Sequence, residues 1–120
     1  MKKQITFISA IISITFFITS CSKGGGGSNP PPVDPCSGLL SKFAADVQPI
    51  INATCAINSN CHASGSTNTG GPLIDYNKIF VKRSNIKSQV EAGLMPQTGS
   101  LTTDQKNKII CWINSGAPNN

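Results

Sequence analysis

The sequence has few charged, aromatic and histidine residues, and these shortages exclude several classes of function. Charged residues make up 12% of the chain and aromatic residues 6%. The net charge of +5 falls to about +3 once Lys2 and Lys3, which precede an apolar block, are set aside. No basic stripe remains that could bind nucleic acid, so we expect no nucleic-acid partner. The part of the chain that can fold is also too short for a multi-layer enzyme scaffold.

The N-terminus has the features of an export signal. Lys2 and Lys3 make its start positive, and the apolar run Ile5–Ile18 is shorter than the roughly 18 residues that a membrane-spanning helix needs. The run ends in Ile18-Thr19-Ser20-Cys21, which resembles a bacterial lipobox, in which the cysteine is lipidated and becomes the first mature residue. We therefore predict a lipoprotein signal peptide over residues 1–20 and lipidation of Cys21. The alternative is that Cys21 is an ordinary thiol near a peptidase site.

Residues 21–35 are predicted to be a linker. After Cys21 the sequence SKGGGGSNPPPVDP combines a run of glycine with a run of proline, and Val33 is its one candidate anchor for a core. Glycine-rich chain is flexible and proline-rich chain is extended, so this segment would hold a domain away from a membrane surface. We therefore expect a protein lipid-anchored to a bacterial membrane of the cell envelope, on the periplasmic or surface side, with the outer membrane favoured.

Residues 36–120 are predicted to form one all-α domain with long loops. Val47, Ile50 and Ile51 have helical spacing, and their helix is expected to begin near Asp46 as N-cap and to run into Cys55. No segment alternates with the period of two that is typical of strands. Further helical segments are expected around Tyr76–Phe80, from Ser84 as N-cap to Gly93, and from a capping box of Thr102 and Gln105 to Gly116.

The single histidine of the chain directly follows a cysteine. The segment Cys55-Ala-Ile-Asn-Ser-Asn-Cys61-His62 resembles a c-type haem attachment site. In such sites two thiols form thioethers with the haem vinyl groups, and the adjacent imidazole binds the iron. Five residues separate Cys55 from Cys61, whereas about two is usual in this motif. The longer spacing requires a loop that protrudes between the two cysteines.

Apart from the initiator, the one methionine is Met95, followed by Pro96 in a loop between Gly93 and the last helix. In monohaem cytochromes c the sixth iron ligand is typically a methionine in such a loop. The order of features over residues 36–120 resembles a small class I cytochrome c-like domain of an exported bacterial lipoprotein. The matching segments are Val47-Gln48-Pro49-Ile50, Cys55, Cys61-His62, Tyr76, Met95-Pro96 and Trp112-Ile113-Asn114-Ser115-Gly116-Ala117.

This resemblance implies a cytochrome c-like fold of three to four helices. Its N-terminal and C-terminal helices would cross, with Trp112 and Ile113 packed against Ile50 or Ile51. Cys36 opens the domain and Cys111 lies on the terminal helix that would return beside it, so the resemblance also implies a disulfide between them.

The resemblance further implies a covalent haem c, with Cys55 and Cys61 as its thioether attachment points and with His62 and Met95 as axial ligands of the iron. The protein would then be a membrane-anchored electron carrier, not an enzyme. Its partners would be redox proteins of the cell envelope, and its link to the membrane would be the lipid anchor.

Two alternatives stay open. In the first, Cys55 pairs with Cys61 and Cys36 with Cys111, which is one of the three pairings that four cysteines allow, and the protein is a haem-free binding or scaffold module with the same fold. In the second the protein is a haem enzyme, but few groups are present that could move protons.

A basic cluster could steer acidic partners or form a solvated helix face; it comprises Lys78, Lys82, Arg83 and Lys87.

Overall fold

The computed structural model describes residues 33–120; the predicted signal peptide, Cys21 and most of the predicted linker lie outside the described residues. Within this range the chain forms helices and no strand, which confirms the all-α prediction. No helix among these residues has the length and apolarity needed to cross a membrane. In chain order the elements are a π-helical segment Phe43–Val47, then α1 Gln48–Thr54, α2 Tyr76–Val81, α3 Arg83–Glu91 and α4 Thr103–Asn114.

The first helical region begins at Phe43, before the predicted start near Asp46. The backbone N–H of Phe43 donates to the Asn120 side chain at 2.9 Å, and that of Ala44 donates to the Asn120 carbonyl at 2.8 Å. These donors would otherwise lack partners at a helix N-terminus. Asp46 is therefore not the N-cap: the helical region begins three residues earlier, where Asn120 supplies the acceptors.

Helices α2 and α3 follow one another with a single residue between them. The Asp75 carboxylate caps α2 by accepting the backbone N–H of Lys78 at 2.9 Å. Lys82 ends α2 and begins α3, so the prediction of Ser84 as N-cap was wrong: α3 has already begun at that position. After α3 the chain turns at Gly93, which has a φ of +68°, a backbone conformation that glycine adopts readily.

The terminal helix α4 begins with the capping box predicted from the sequence. The backbone N–H of Thr102 donates to the Gln105 side chain at 2.9 Å, and that of Gln105 donates to the Thr102 hydroxyl at 3.2 Å. The helix ends at Asn114. Gly116 follows with a φ of +95°, so the chain reverses close to the predicted position.

Trp112 on α4 is fully buried at the centre of the core. Its ring lies 5.4 Å from that of Phe43 and 6.5 Å from that of Tyr76, measured between centroids. The Trp112 indole N–H donates to the Pro118 carbonyl at 2.8 Å, and the Tyr76 hydroxyl donates to the Ala117 carbonyl at 3.0 Å. The buried members of this core are Phe43, Val47, Ile50, Ile51, Leu73, Ile79, Ile109, Trp112 and Ala117.

A disulfide joins Cys36 to Cys111, as expected, with the two Cα atoms 5.2 Å apart. It links the beginning of the domain to α4 across a sequence separation of 75. Cys55 and Cys61 are free thiols, so the second bridge of the haem-free alternative is not present in the structure.

Candidate functional site

One cavity brings together both free cysteines, the single histidine and Met95. It has a volume of about 150 Å³ and lies among the end of α1, the loop that follows it, α3 and the loop after α3. Apolar side chains supply part of its wall, namely Leu73, Ile86, Val90 and Pro96. Cys55, Cys61, His62 and Met95 all line it, although they come from separate parts of the chain.

The segment from Cys55 to His62 forms a loop with a closed base. The backbone N–H of His62 donates to the Cys55 carbonyl at 3.0 Å. Asn58 organises the turn, because the backbone N–H of Cys61 donates both to the Asn58 carbonyl at 3.1 Å and to its side chain at 3.0 Å. Residues 57–60 are exposed. The five-residue spacing is therefore accommodated by a protruding turn, while the ends of the segment stay close together.

The two free thiols differ in their surroundings. Burial raises the pKa of the Cys55 thiol above its ordinary value of 9.0, and a contact with the Thr54 hydroxyl at 3.4 Å opposes this only in part. Cys55 therefore stays a neutral thiol at pH 7. Cys61 lies at the exposed end of the loop and is half-buried.

The imidazole of His62 has a defined hydrogen-bond partner. Its Nδ1 lies 2.7 Å from the carbonyl oxygen of Gly71. A carbonyl oxygen can only accept, so Nδ1 carries the proton and the neutral ring has an unprotonated Nε2. This is the tautomer that an Nε2 metal ligand needs, and a backbone carbonyl is a frequent partner of such a histidine.

Gly70 and Gly71, which no motif in the sequence singles out, also form part of the site. A Cβ placed on Gly70 would lie 2.4 Å from Cε1 of His62, and one on Gly71 would lie 2.8 Å from Nζ of Lys82. Lys82 also lines the cavity and donates from Nζ to the Gly70 carbonyl. A pair of glycines soon after the histidine was the available sequence signal, because glycine often marks a close approach to the backbone.

Met95 is placed by the end of α3. The backbone N–H groups of Leu94 and Met95 both donate to the Gln89 carbonyl, at 2.9 Å and 3.3 Å. This turn brings the half-buried Met95 to the cavity wall, where it lies together with Gln89 and Val90 of the same region. The predicted axial pair, His62 and Met95, thus lines one cavity from two different loops.

The residues of the basic cluster have local partners. Lys78 pairs with Asp75 at 3.1 Å, and Lys87 pairs with Glu91 at 3.7 Å. The guanidinium of Arg83 lies 4.0 Å from the centroid of the Phe80 ring. Lys82 is directed to the glycine turn beside His62, as described above. These contacts favour the interpretation of separate local roles over that of a common docking patch.

Within residues 33–120, no group of three or more His, Cys, Asp or Glu side chains is arranged to hold a metal ion. Comparison of the chain with protein-family models, with curated proteins and with solved structures finds no match.

Proposed function

We propose that this protein is a membrane-anchored monohaem c-type cytochrome that transfers electrons in the cell envelope. The observation that carries the proposal is that a single cavity is lined by Cys55, Cys61, His62 and Met95. The sequence resemblance to small cytochromes c implies these same four residues as the attachment points and iron ligands. Two thiols, an imidazole and a thioether are the donor set that a covalently attached haem with His and Met axial ligands requires.

Each of these residues has a distinct role in the proposal. Cys55 and Cys61 hold the cofactor through thioether bonds. His62 offers Nε2 to the iron, because its Nδ1–H is held by the Gly71 carbonyl. Met95 supplies the sixth ligand. A haem bound in this way supplies one-electron redox chemistry, and a methionine ligand raises its potential.

The cavity must widen to accept haem. Its volume of about 150 Å³ is below the roughly 300–1,000 Å³ of typical small-molecule sites. Its walls include the Cys55–His62 turn, which is exposed at residues 57–60, and the loop after α3, where Gln97 and Thr98 are exposed. Outward movement of these two loops would enlarge the cavity while leaving the core around Trp112 in place. The apolar side chains of Leu73 and Val90 suit the macrocycle, because they exclude water from its face.

We also propose that the all-α domain has a cytochrome c-like fold. It is supported by the contact of the π-helical segment Phe43–Val47 with α4, by the core that Trp112 shares with Ile50 and Ile51, and by the Cys36–Cys111 disulfide. The export signal, the lipobox-like Cys21 and the linker favour an envelope protein anchored by lipid, with redox proteins of that compartment as its partners.

Production of the full chain together with a c-type cytochrome maturation system tests this function. We expect a Soret band, a shift of the visible spectrum on reduction with dithionite, and a protein mass increased by one haem. The band should persist after denaturation with reductant, because thioethers survive reduction. Replacement of both Cys55 and Cys61 by Ala should abolish covalent attachment, whereas Lys78→Met, at a residue that does not line the cavity, should leave it unchanged. A mature wild-type protein without haem would refute the proposal.

The haem-free module would give a different set of results. Thiol mapping would then find Cys55 and Cys61 either free or joined by a reducible disulfide in the mature protein, with no haem mass. A binding titration with carbon monoxide or cyanide separates the electron carrier from a haem enzyme, since tight ligation by Met95 resists both ligands whereas an open iron site binds them.

A further inference from the structure

The glycine turn next to His62 lies between an imidazole and an ammonium group. On one side, Nδ1 of His62 is 2.7 Å from the Gly71 carbonyl oxygen. On the other, Nζ of Lys82 donates to the Gly70 carbonyl. The turn has no room for larger side chains on either side, as the positions of the two missing Cβ atoms show. Any shift of the turn therefore changes its contact with the His62 ring.

Few other bonds hold this turn to the helices. Residues 64–69 are exposed apart from Ser66, and the backbone N–H of Gly71 bonds only within the loop, to the Asn68 carbonyl at 2.8 Å. The side chains of Ser66 and Asn68 both donate to the Cys61 carbonyl, so they tie the loop to the haem-attachment segment and not to a helix. After the turn the chain enters the core at Leu73, whose backbone N–H donates to the His62 carbonyl at 2.8 Å. Lys82 supplies the side-chain hydrogen bond from the helices to the turn itself.

Lys82 is itself well fixed. Its backbone N–H donates to the Ile79 carbonyl at 3.1 Å, and its carbonyl accepts the N–H of Ile86 at 2.9 Å. It therefore belongs to the hydrogen-bonding of both α2 and α3. Ile79 is fully buried, so the junction from which the Lys82 side chain extends is anchored in the core.

We propose that Lys82 is a positioning residue for His62: by holding the Gly70–Gly71 turn against the α2–α3 junction, it keeps the Gly71 carbonyl on Nδ1 and leaves Nε2 available to a ligand. This inference rests on the proposed function for the identity of that ligand. The hydrogen-bond relay itself is a property of the haem-free chain. An outer partner of a metal-binding histidine commonly changes ligand affinity by about 10–100-fold when it is removed.

The test measures the His62 Nδ1–H by NMR in the haem-free protein, through its rate of exchange with water. We expect a protected proton in the wild type. Lys82→Met, which removes the donor but keeps most of the aliphatic stem, should accelerate exchange by roughly tenfold, the factor expected for the loss of one hydrogen bond. Lys82→Arg retains a cationic donor and should restore most of the protection. Lys78→Met is the matched control, because Lys78 pairs with Asp75 and not with the turn.

Protection that is unchanged in Lys82→Met overturns the proposal, as does an unprotected Nδ1–H in the wild type. Equal loss of protection in the Met and Arg variants, or in Lys78→Met, also overturns it, because the donor at position 82 would then not be the cause. The result is independent of haem loading. Absence of a Soret band would refute the proposed function and leave the exchange measurement valid, whereas a haem-loaded protein with unaltered exchange in Lys82→Met would refute the positioning role alone.

Discussion

Loss of the Cys36–Cys111 disulfide should remove a large part of the stability of the domain. The bridge closes a loop with a sequence separation of 75. In the loop-entropy model this restriction of the unfolded chain is equivalent to about 4.5 kcal/mol at 25 °C. Domains of this size have a total free energy of unfolding on the order of 5–15 kcal/mol. The double variant Cys36→Ala/Cys111→Ala should therefore be near the limit of stable folding.

Urea unfolding, followed by the fluorescence of Trp112, measures this loss. With a denaturant dependence of about 1–2 kcal/mol per molar for a small domain, the midpoint should fall by roughly 2–4 M. Addition of reductant to the wild-type protein should lower the midpoint by a similar amount, because Cys55 and Cys61 are already free thiols. Hydrogen exchange of α4 amides should accelerate in parallel, since the bridge attaches this helix to the start of the domain.

The control, measured like the others on haem-free protein, is Cys55→Ala/Cys61→Ala, which removes two half-buried thiols but no cross-link. Its loss should be about 1 kcal/mol, as is typical of a single small truncation, because Cys55 packs against the core only in part. A loss below about 1 kcal/mol for the Cys36→Ala/Cys111→Ala variant would refute the reasoning, because the unfolded chain would then gain little freedom when the loop is opened.

Three further predictions concern the glycine turn, the C-terminal tail and the cap of α2. Gly70→Ala should displace the His62 ring by about 1 Å, because the new Cβ would lie 2.4 Å from Cε1, whereas ordinary contacts begin at 3.4 Å. The displacement should weaken the bond to the Gly71 carbonyl, and loss of the Nδ1–H signal by NMR measures that weakening. Tyr76→Phe should lower stability by about 1 kcal/mol in urea unfolding, because it removes the 3.0 Å bond to Ala117. The pKa of Asp75 is lowered from 3.8, first by the hydrogen bond from a backbone N–H of α2. The Asp75 carboxylate therefore stabilises the fold above about pH 3.8, and this stabilisation is lost as the pH falls through its lower pKa in the folded protein. The difference in free energy of unfolding between wild type and Asp75→Ala should accordingly disappear in acid.

Each of these has its own control and contrary outcome. Gly99→Ala places a Cβ in open space at a φ of +81°, so it reports backbone strain without a clash; a His62 signal that is equally changed in both variants would contradict the steric argument. An unaltered urea midpoint in Tyr76→Phe would mean that water replaces the lost bond. A stability gap for Asp75→Ala that is constant from pH 7 to pH 2 would show that the capping bond does not depend on the charge.

Local patterns in the sequence were enough to predict the helices but not all of their ends. The α4 start follows from Thr102 and Gln105, which lie three positions apart and satisfy each other within one turn. The start at Phe43 depends instead on Asn120, a partner that no local pattern identifies. The start of α3 was misplaced for a related reason, since Lys82 continues from α2 and leaves no need for Ser84 as a cap.

The residues of the candidate site likewise fall into those that the sequence identifies and those that only the tertiary structure shows. Cys61-His62 and Met95 were identifiable because thiol, imidazole and thioether groups are rare in this chain and their order is distinctive. The acceptor of the His62 ring proton was not identifiable, because it is a backbone carbonyl of Gly71 and every residue carries one. From the sequence, Lys82 is one member of a basic cluster. Its role depends on which loop folds over the α2–α3 junction, and that is decided by tertiary packing.

The bonds from Asn120 to Phe43 and Ala44 have a consequence for the order in which the domain can be assembled. They span 77 and 76 positions, so the first helical turn obtains these partners only after Asn120 has been synthesised. Until then its leading N–H groups face water, and Phe43 lacks the indole ring of Trp112 against which it packs. The first helical turn therefore depends on contacts of long sequence separation, which form late and slow the folding of a small domain.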